Sequence, residues 1–229
     1  MKRIIRRILL WVAVALIAAL VAFVLWAENP MTAEAGPLSD VFYVDYPDGV
    51  VLTPDEPTGT GLVFIAGARV EPQAYAAKLE GLVDAGITVV IARPTLNFAI
   101  FEYRPLSVFE SLAPDVDEWF VGGHSLGGVR ACQYASETAG LILFGSYCAS
   151  EVTGAVLSIS ASNDGLSTPE KIEDAAHYLP DDAEFVVIDG GNHAQFGDYG
   201  VQPGDGESTI SDERFAQQVA AAVLAFTLR

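Results

Sequence analysis

The sequence predicts an α/β fold with a mostly parallel central sheet and helices on both of its faces. Residues 61–66 and 87–92 are continuous apolar runs, as expected for strands that are buried on both sides. Between them, residues 71–86 carry apolar side chains at helical spacing, with Pro72 near the start and Gly86 at the end. Strands that alternate with helices in this way favour parallel crossover units.

The same alternation continues along the chain. Pro47, Asp48 and Gly49 give a turn signal between two short predicted strands. Further strands are predicted at residues 119–123, 140–145, 155–160 and 184–189. Further helices are predicted directly after Ser125, at about residues 168–178 and at about residues 211–228.

The N-terminus carries an apolar run that does not belong to this pattern. Residues 8–27 contain no charge, and as a helix they would be about 30 Å long, roughly the thickness of the hydrocarbon core of a bilayer. Trp11 and Trp26 lie near the two ends, where amphipathic rings favour the interface. Four basic residues and no acidic one precede the run: Lys2, Arg3, Arg6 and Arg7.

We therefore expect a basic cytoplasmic tail at residues 1–7, a transmembrane anchor at 8–27, a linker at 28–37 and a domain outside the cytoplasm at 38–229. This arrangement describes a single-pass protein of the cell membrane. Secretion after signal cleavage is the alternative, because Ala-Glu-Ala at residues 33–35 resembles a cleavage site. The apolar run exceeds the usual signal-peptide core of about 7–15 residues, which favours the uncleaved anchor.

The part of the chain after the anchor is strongly acidic. The whole sequence has 12 Lys and Arg against 30 Asp and Glu, a formal charge of −18. Without the four basic residues of the tail, 8 basic residues face the same 30 acidic ones, a formal charge of −22. Such a surface repels nucleic acid and anionic lipid, so we expect no nucleic-acid partner.

Two cysteines, Cys132 and Cys148, are the only ones in the sequence. In an extracytoplasmic domain they can form a disulfide. They can equally be two small buried apolar side chains. The sequence leaves both interpretations open.

A serine lies in a glycine-rich turn between a predicted strand and a predicted helix. The turn reads Gly123-His124-Ser125-Leu126-Gly127. Glycines on either side of the serine allow the backbone and the helix to crowd together there. A phosphate-binding loop would need a lysine followed by serine or threonine, whereas Gly128 and Val129 follow here. We therefore predict that Ser125 is a nucleophile.

Two further side chains follow later strands and complete the chemistry that a serine nucleophile needs. His193 follows the strand at 184–189 and is the predicted base, because an imidazole titrates near neutrality. Asp164 follows the strand at 155–160 and is predicted to orient His193 through its other ring nitrogen. Sites in parallel sheets form at the carboxyl ends of strands, where all three residues lie.

Backbone N–H groups are predicted to stabilise the oxyanion that such a reaction develops. The Leu126 N–H, directly after the nucleophile, is one predicted donor, and the Ala68 N–H, after the strand at 61–66, is the other. Arg69 is a candidate for binding an anionic group of the substrate or for pairing with a surface acid. Phe196 is a candidate for the pocket wall or for a brace of the histidine loop.

The segments "VGGHSLGG", "SASNDG" and "GGNHAQFGDYG" resemble the α/β-hydrolase superfamily, in which the order is serine, acid, histidine. From about residue 61 to 226 the chain is similar to a bacterial family of small hydrolases, α/β-hydrolase family 5, which is distantly related to dienelactone hydrolases. The resemblance implies an α/β-hydrolase fold and a Ser125–Asp164–His193 triad. It implies no particular substrate.

Two departures from this superfamily are informative. Dienelactone hydrolases use a cysteine nucleophile, so their specific reaction does not carry over to Ser125. The link between Gly145 and Ala155 is too short for the lid that often lies there, so we expect an open site, with residues 93–114 as part of its wall.

We expect no cofactor and no metal. The acidic residues Asp198, Asp205 and Glu207 do not match the spacing of a calcium loop.

The sequence therefore predicts an anchored serine hydrolase that cleaves carboxylic esters of a small-molecule acyl substrate. An acyltransferase with the same triad is the alternative. A binding protein without catalysis is a third possibility, and the complete set of catalytic elements disfavours it.

Overall fold

The computed structural model describes residues 2–34 and 42–227. Eight strands form one sheet: β1 (Val44–Tyr46), β2 (Gly49–Leu52), β3 (Thr60–Ile65), β4 (Thr88–Ala92), β5 (Glu118–His124), β6 (Gly140–Phe144), β7 (Ala155–Ala161) and β8 (Glu184–Ile188). The helices are α1 (Lys2–Ala27), α2 (Ala76–Val83), α3 (Ser107–Glu110), α4 (Leu126–Ala131), α5 (Pro169–Ala175) and α6 (Asp212–Thr227). The predicted strands and principal helices are thus confirmed.

The sheet has the order β1-β2-β4-β3-β5-β6-β7-β8. All pairs from β4 to β8 are parallel, whereas β1 and β2 join as an antiparallel edge. The chain runs outward from β3 to β4 and then returns to place β5 on the other side of β3. This change of direction leaves a crevice at the carboxyl ends of β3 and β5, where ligands bind in open parallel sheets.

Both faces of the sheet are covered. Successive residues of a strand point to opposite sides, so Phe64 packs in the core beneath α2 and α6, while Val63 packs in the core on the side of α3 and α4. Two fully buried faces explain why these strands are continuous apolar runs.

Two segments differ in detail from the predicted helices. The helix predicted at 71–86 begins with a 3₁₀ turn, Pro72–Tyr75, and α2 ends at Val83. The irregular residues 93–114 contain two 3₁₀ turns, Thr95–Asn97 and Ala99–Phe101, and the short helix α3. Between β6 and β7 the chain forms no helix or strand, in agreement with the predicted absence of a lid.

The N-terminal helix α1 is long and apolar enough to span a membrane. It begins at Lys2 and therefore includes the basic residues of the predicted tail. The described part of the predicted linker is hydrogen-bonded to the domain. Met31 forms a parallel β-bridge with Val70, and the Ala33 N–H donates to Glu71 Oε1 at 2.6 Å. The rest of that linker, residues 35–37, lies outside the described residues.

Candidate active site

Ser125 lies in the sharp turn between β5 and α4. Its φ is 54° and its ψ is −125°, a conformation that costs a residue with a side chain about 1–3 kcal/mol. Two hydrogen bonds hold the turn: the Ser125 N–H donates to the Phe144 carbonyl at 3.1 Å, and Ser146 Oγ donates to the Ser125 carbonyl at 2.7 Å. The side chain of a residue held in this way projects from the carboxyl edge of the sheet.

The glycines beside the serine are needed for close packing. A Cβ at Gly127 would lie 2.0 Å from the Ile65 carbonyl oxygen, at the end of β3. A Cβ at Gly123 would lie 2.5 Å from the Gly127 carbonyl carbon. The start of α4 therefore approaches β3 and β5 more closely than any side chain allows, which is the reason for the glycine spacing seen in the sequence.

Asp164 and His193 form a buried hydrogen-bonded pair. Asp164 Oδ2 lies 2.7 Å from His193 Nδ1, and both side chains are almost completely shielded from solvent. Asp164 Oδ1 accepts hydrogen bonds from the N–H groups of Leu166, at 2.8 Å, and Ser167, at 2.6 Å. These hydrogen bonds hold the Asp164 side chain in place, so that its Oδ2 faces Nδ1 of the His193 ring.

The structure also brings Ser125 into the neighbourhood of this pair. The ring of His124, the residue before the serine, lies 4.3 Å from the His193 ring, measured between centroids. Among the hydrogen bonds of residues 2–34 and 42–227, none joins Ser125 Oγ to His193. Catalytic hydrogen bonds often form only when substrate is bound.

The two predicted oxyanion donors lie on adjacent strand ends. Ile65 of β3 pairs with Gly123 of β5, so the loops that carry Ala68 and Leu126 start side by side. The Ala68 N–H donates to no acceptor within the described part of the chain.

The buried side chains of Tyr75 and His124 form a polar pair beside the Ala68 loop. The sequence analysis did not identify this pair. The Tyr75 hydroxyl accepts the Gly67 N–H at 2.9 Å and lies 3.0 Å from His124 Nδ1. Burial, and then the nearby His193, hold the pKa of His124 well below its usual value, so this imidazole is neutral. Burial likewise raises the pKa of the Tyr75 hydroxyl. The pair ties the Ala68 loop to the serine turn.

Asp205 is a second residue that sequence analysis did not single out for this site. Its Oδ1 accepts the N–H groups of Gly165, at 3.0 Å, and His193, at 3.2 Å. Its Oδ2 accepts the Ala194 N–H at 2.8 Å. One carboxylate thus connects the loop of Asp164 with the loop of His193. The glycines that flank it, Gly204 and Gly206, were the signal for a tight loop.

Arg69 and Phe196 have other partners than a substrate. The Arg69 guanidinium donates to the carbonyl oxygens of Trp26, at 3.2 Å, and Asn29, at 2.6 Å, and stacks on the Trp26 ring at 4.2 Å. These two carbonyls at the end of α1 accept hydrogen bonds from Nε and Nη2 of Arg69, and the binding of an anionic substrate group by this residue stays a prediction.

The Phe196 ring is buried and packs against Phe144, Phe215 and His124. This packing agrees with a brace of the histidine loop, and a role of Phe196 in the pocket wall stays a prediction.

A disulfide joins Cys132 to Cys148. Cys132 follows the end of α4 and Cys148 lies shortly after β6, so the bond connects the two elements that frame the serine turn. Within the described ranges, no group of three or more His, Cys, Asp or Glu residues is placed to hold a metal ion.

A family model described as "Alpha/beta hydrolase family" matches residues 61–217, more than half of the chain. The chain belongs to the alpha/beta hydrolase family. The resemblance stated from the sequence is thereby confirmed. A search of curated proteins finds no match.

Solved structures agree with this fold. An α/β serine hydrolase homologue from Coxiella burnetii is 12% identical, with a TM-score of 0.57, and the match covers 79% of this chain and 95% of that one. A serine hydrolase without a lid from Xanthomonas campestris is 14% identical, with a TM-score of 0.54 and coverages of 80% and 93%. A thermophilic esterase from Thermogutta terrifontis is 15% identical, with a TM-score of 0.58 and coverages of 81% and 99%.

Proposed function

We propose that this α/β hydrolase is a serine hydrolase that cleaves carboxylic esters through an acyl-enzyme. The observation that carries the proposal is the buried Asp164–His193 hydrogen bond of 2.7 Å beside a serine in a strained turn at the same edge of the sheet. Residues with strained backbone conformations cluster at active sites and ligand clamps.

In this mechanism Ser125 Oγ forms a bond to the acyl carbon while His193 Nε2 accepts its proton. Asp164 stabilises the imidazolium that results. The negative charge on the former carbonyl oxygen faces the N–H groups of Leu126 and Ala68. His193 then gives its proton to the departing alkoxide. In the second half, water loses a proton to His193 and attacks the acyl carbon. His193 then returns that proton to Ser125 Oγ as the bond between Oγ and the acyl carbon breaks, which releases the acid and restores both residues.

We also propose that α1 remains attached as a membrane anchor with the hydrolase domain outside the cytoplasm. Cleavage after Ala35 would remove Met31, whose N–H and carbonyl bond the main chain of Arg69 and Glu71. It would also remove Ala27, which is completely buried against the domain. The disulfide fits an oxidising compartment outside the cytoplasm.

Hydrolysis of 4-methylumbelliferyl acetate by the full-length protein tests the catalytic proposal. We expect Ser125→Ala to lower turnover by about 10⁴–10⁶-fold, because a missing nucleophile removes the acyl-enzyme route. Ser111→Ala, whose hydroxyl only donates to the Val108 carbonyl, is the control and should retain activity. Equal activity of wild type and Ser125→Ala would contradict the proposal.

The products separate hydrolysis from acyl transfer. With glycerol present as acceptor, a hydrolase releases mainly acetic acid, whereas an acyltransferase yields mainly the glycerol ester. A protein that binds esters without turnover would release neither.

A further inference from the structure

The end of α1 is packed against the loops beside the candidate active site. The Phe23 ring lies 6.0 Å from the Phe98 ring and 6.1 Å from the Phe101 ring, and the Trp26 ring lies 5.6 Å from that of Phe98, between centroids. The Asn97 side chain donates to the Ala27 carbonyl at 3.0 Å. The helix therefore meets the domain through an apolar cluster and a hydrogen bond, and not through a free linker.

The same end of α1 is connected to the predicted oxyanion loop. Arg69, the neighbour of Ala68, bonds the carbonyls of Trp26 and Asn29 with its side chain. Its own carbonyl accepts the Met31 N–H at 2.6 Å. The position of the anchor is thus fixed relative to the carboxyl edge of the sheet.

Helix geometry gives the depth of these contacts. Phe23 precedes Ala27 by four residues, about 6 Å along a helix axis. Since it belongs to the apolar run that would cross the bilayer, the rings of Phe98 and Phe101 that touch it lie at the level of the membrane interface. Trp26 also belongs at this level.

The surface beside these rings is apolar and exposed. Ile100 is 61% exposed and Tyr103 is 76% exposed. The turn Ala99–Phe101 contacts α4, the helix that starts directly after Ser125. Leu126, at that start, is also an exposed apolar residue. We call residues 98–103 the interface loop.

From this arrangement we propose that the interface loop lies in the membrane surface, that the carboxyl edge of the sheet faces the bilayer, and that the substrate is a long-chain carboxylic ester held in the lipid. This rests on the proposed esterase function and on α1 as anchor. Burial of Ile100 and Tyr103 among lipid headgroups and chain ends brings Ser125 to the level where the ester bonds of membrane lipids lie.

Two esters with the same leaving group test the substrate class. The full-length protein in phosphatidylcholine vesicles is given 4-methylumbelliferyl oleate, which partitions into the bilayer, or the soluble acetate. We expect the double variant Ile100→Ser/Tyr103→Ser to lower the ratio of oleate turnover to acetate turnover about tenfold relative to wild type. The matched control is Phe185→Ser/Val187→Ser, with two exposed apolar residues on the edge strand β8, and it should keep both activities.

An equal loss of oleate turnover in both double variants would overturn the proposal. So would cleavage of the acetate without any cleavage of the oleate by wild type, which would leave the esterase function standing. If wild type cleaves neither ester, it is the esterase function that fails.

The depth of the loop is measured independently of activity. A nitroxide on Ile100→Cys is compared with one on Val187→Cys, which has a similar exposure of 58%. The described residues include no free cysteine, so the introduced thiol is the one labelled. We expect the label at position 100 to collide with oxygen more than with an aqueous nickel chelate, and the label at 187 to do the reverse. Equal aqueous access at both positions would overturn the membrane-facing orientation, whatever the enzyme activity.

Discussion

Asp205 illustrates how single residues organise this site. Its carboxylate accepts N–H groups from Gly165, His193 and Ala194, so it links the loops of Asp164 and His193, which follow different strands. The absence of a side chain at Gly206 allows the loop of Asp205 to approach the loop of Asp164 this closely, because a Cβ at Gly206 would lie 2.0 Å from the Asn163 carbonyl oxygen. The relative position of acid and base therefore depends on a third loop.

We expect Asp205→Asn to lower kcat by about tenfold to a hundredfold with little change in KM. An amide has one acceptor oxygen in place of two and presents an NH₂ group to an N–H donor, which misplaces the histidine. Asp189→Asn is the control, because Asp189 is exposed and, within residues 2–34 and 42–227, accepts a hydrogen bond from Ser162 Oγ alone. Steady-state kinetics and thermal unfolding of both variants check this; a change in KM alone, or a kcat unaltered by Asp205→Asn, would contradict it.

The residues of the proposed triad could be picked out from the sequence, whereas the residues that support them could not. Ser125, Asp164 and His193 each follow a strand, and strand ends can be recognised from local pattern. Asp205 acts on Gly165 from 40 residues away, and Tyr75 acts on His124 from 49 residues away. Such contacts depend on how loops meet in three dimensions, and no local pattern encodes them. The same reason explains why the contacts of Arg69 with Trp26 and Asn29 were not predicted.

At the scale of elements, the segment between β4 and α3 is held by a buried ion pair in place of regular structure. The Glu102 side chain is completely shielded from solvent. Its carboxylate accepts hydrogen bonds from Arg104 Nε at 2.8 Å and from the Thr95 N–H at 3.1 Å. Burial acts to raise the pKa of Glu102, but the hydrogen bonds and charge of Arg104 outweigh it and lower the pKa below its usual value. This pair fixes the loop against which α1 packs.

The direction of this pKa shift predicts an acid sensitivity. A carboxyl whose pKa is lower in the folded state stabilises the fold fully above its unfolded pKa, about 4.3 for glutamate. That contribution is lost as the pH falls through the folded pKa. We expect the free energy of unfolding of wild type to decline more steeply below about pH 4.5 than that of Glu102→Gln, as measured by urea unfolding from pH 7 to pH 3.5. Parallel curves would contradict this role.

The strand, turn and helix around Ser125 were predicted from the sequence, but the disulfide that joins neighbouring elements was not. The disulfide between Cys132 and Cys148 has a sequence separation of 16 residues and joins the end of α4 to the segment after β6. By loop length it contributes about 3 kcal/mol to the free energy of unfolding. Sequence alone left pairing and burial equally open, because the distance between the ends of α4 and β6 follows from sheet order.

At the scale of the whole molecule, the end of α1 packs against loops at the carboxyl edge of the sheet, where the candidate site also lies. Alternation of strands and helices was enough to predict a mostly parallel α/β sheet, whereas the α/β-hydrolase fold was implied by the resemblance of three motifs to that superfamily. The contact of α1 with Phe98 and Arg69 was not predictable, because the apolar run has the same pattern whether the domain follows a free linker or packs against the helix. With α1 as the proposed membrane anchor, this contact places the proposed nucleophile near the bilayer surface and so links the proposed location to the proposed substrate.

Labelling with a fluorophosphonate probe tests the central claim most directly, because the probe bonds covalently only to a serine activated by a base. The full-length protein is labelled, digested and analysed by peptide mass spectrometry. We expect one label, on Ser125, and none in Ser125→Ala or His193→Ala. An unlabelled wild type, or label on Ser125→Ala equal to that on wild type, would contradict the assignment of Ser125 as a nucleophile activated by His193.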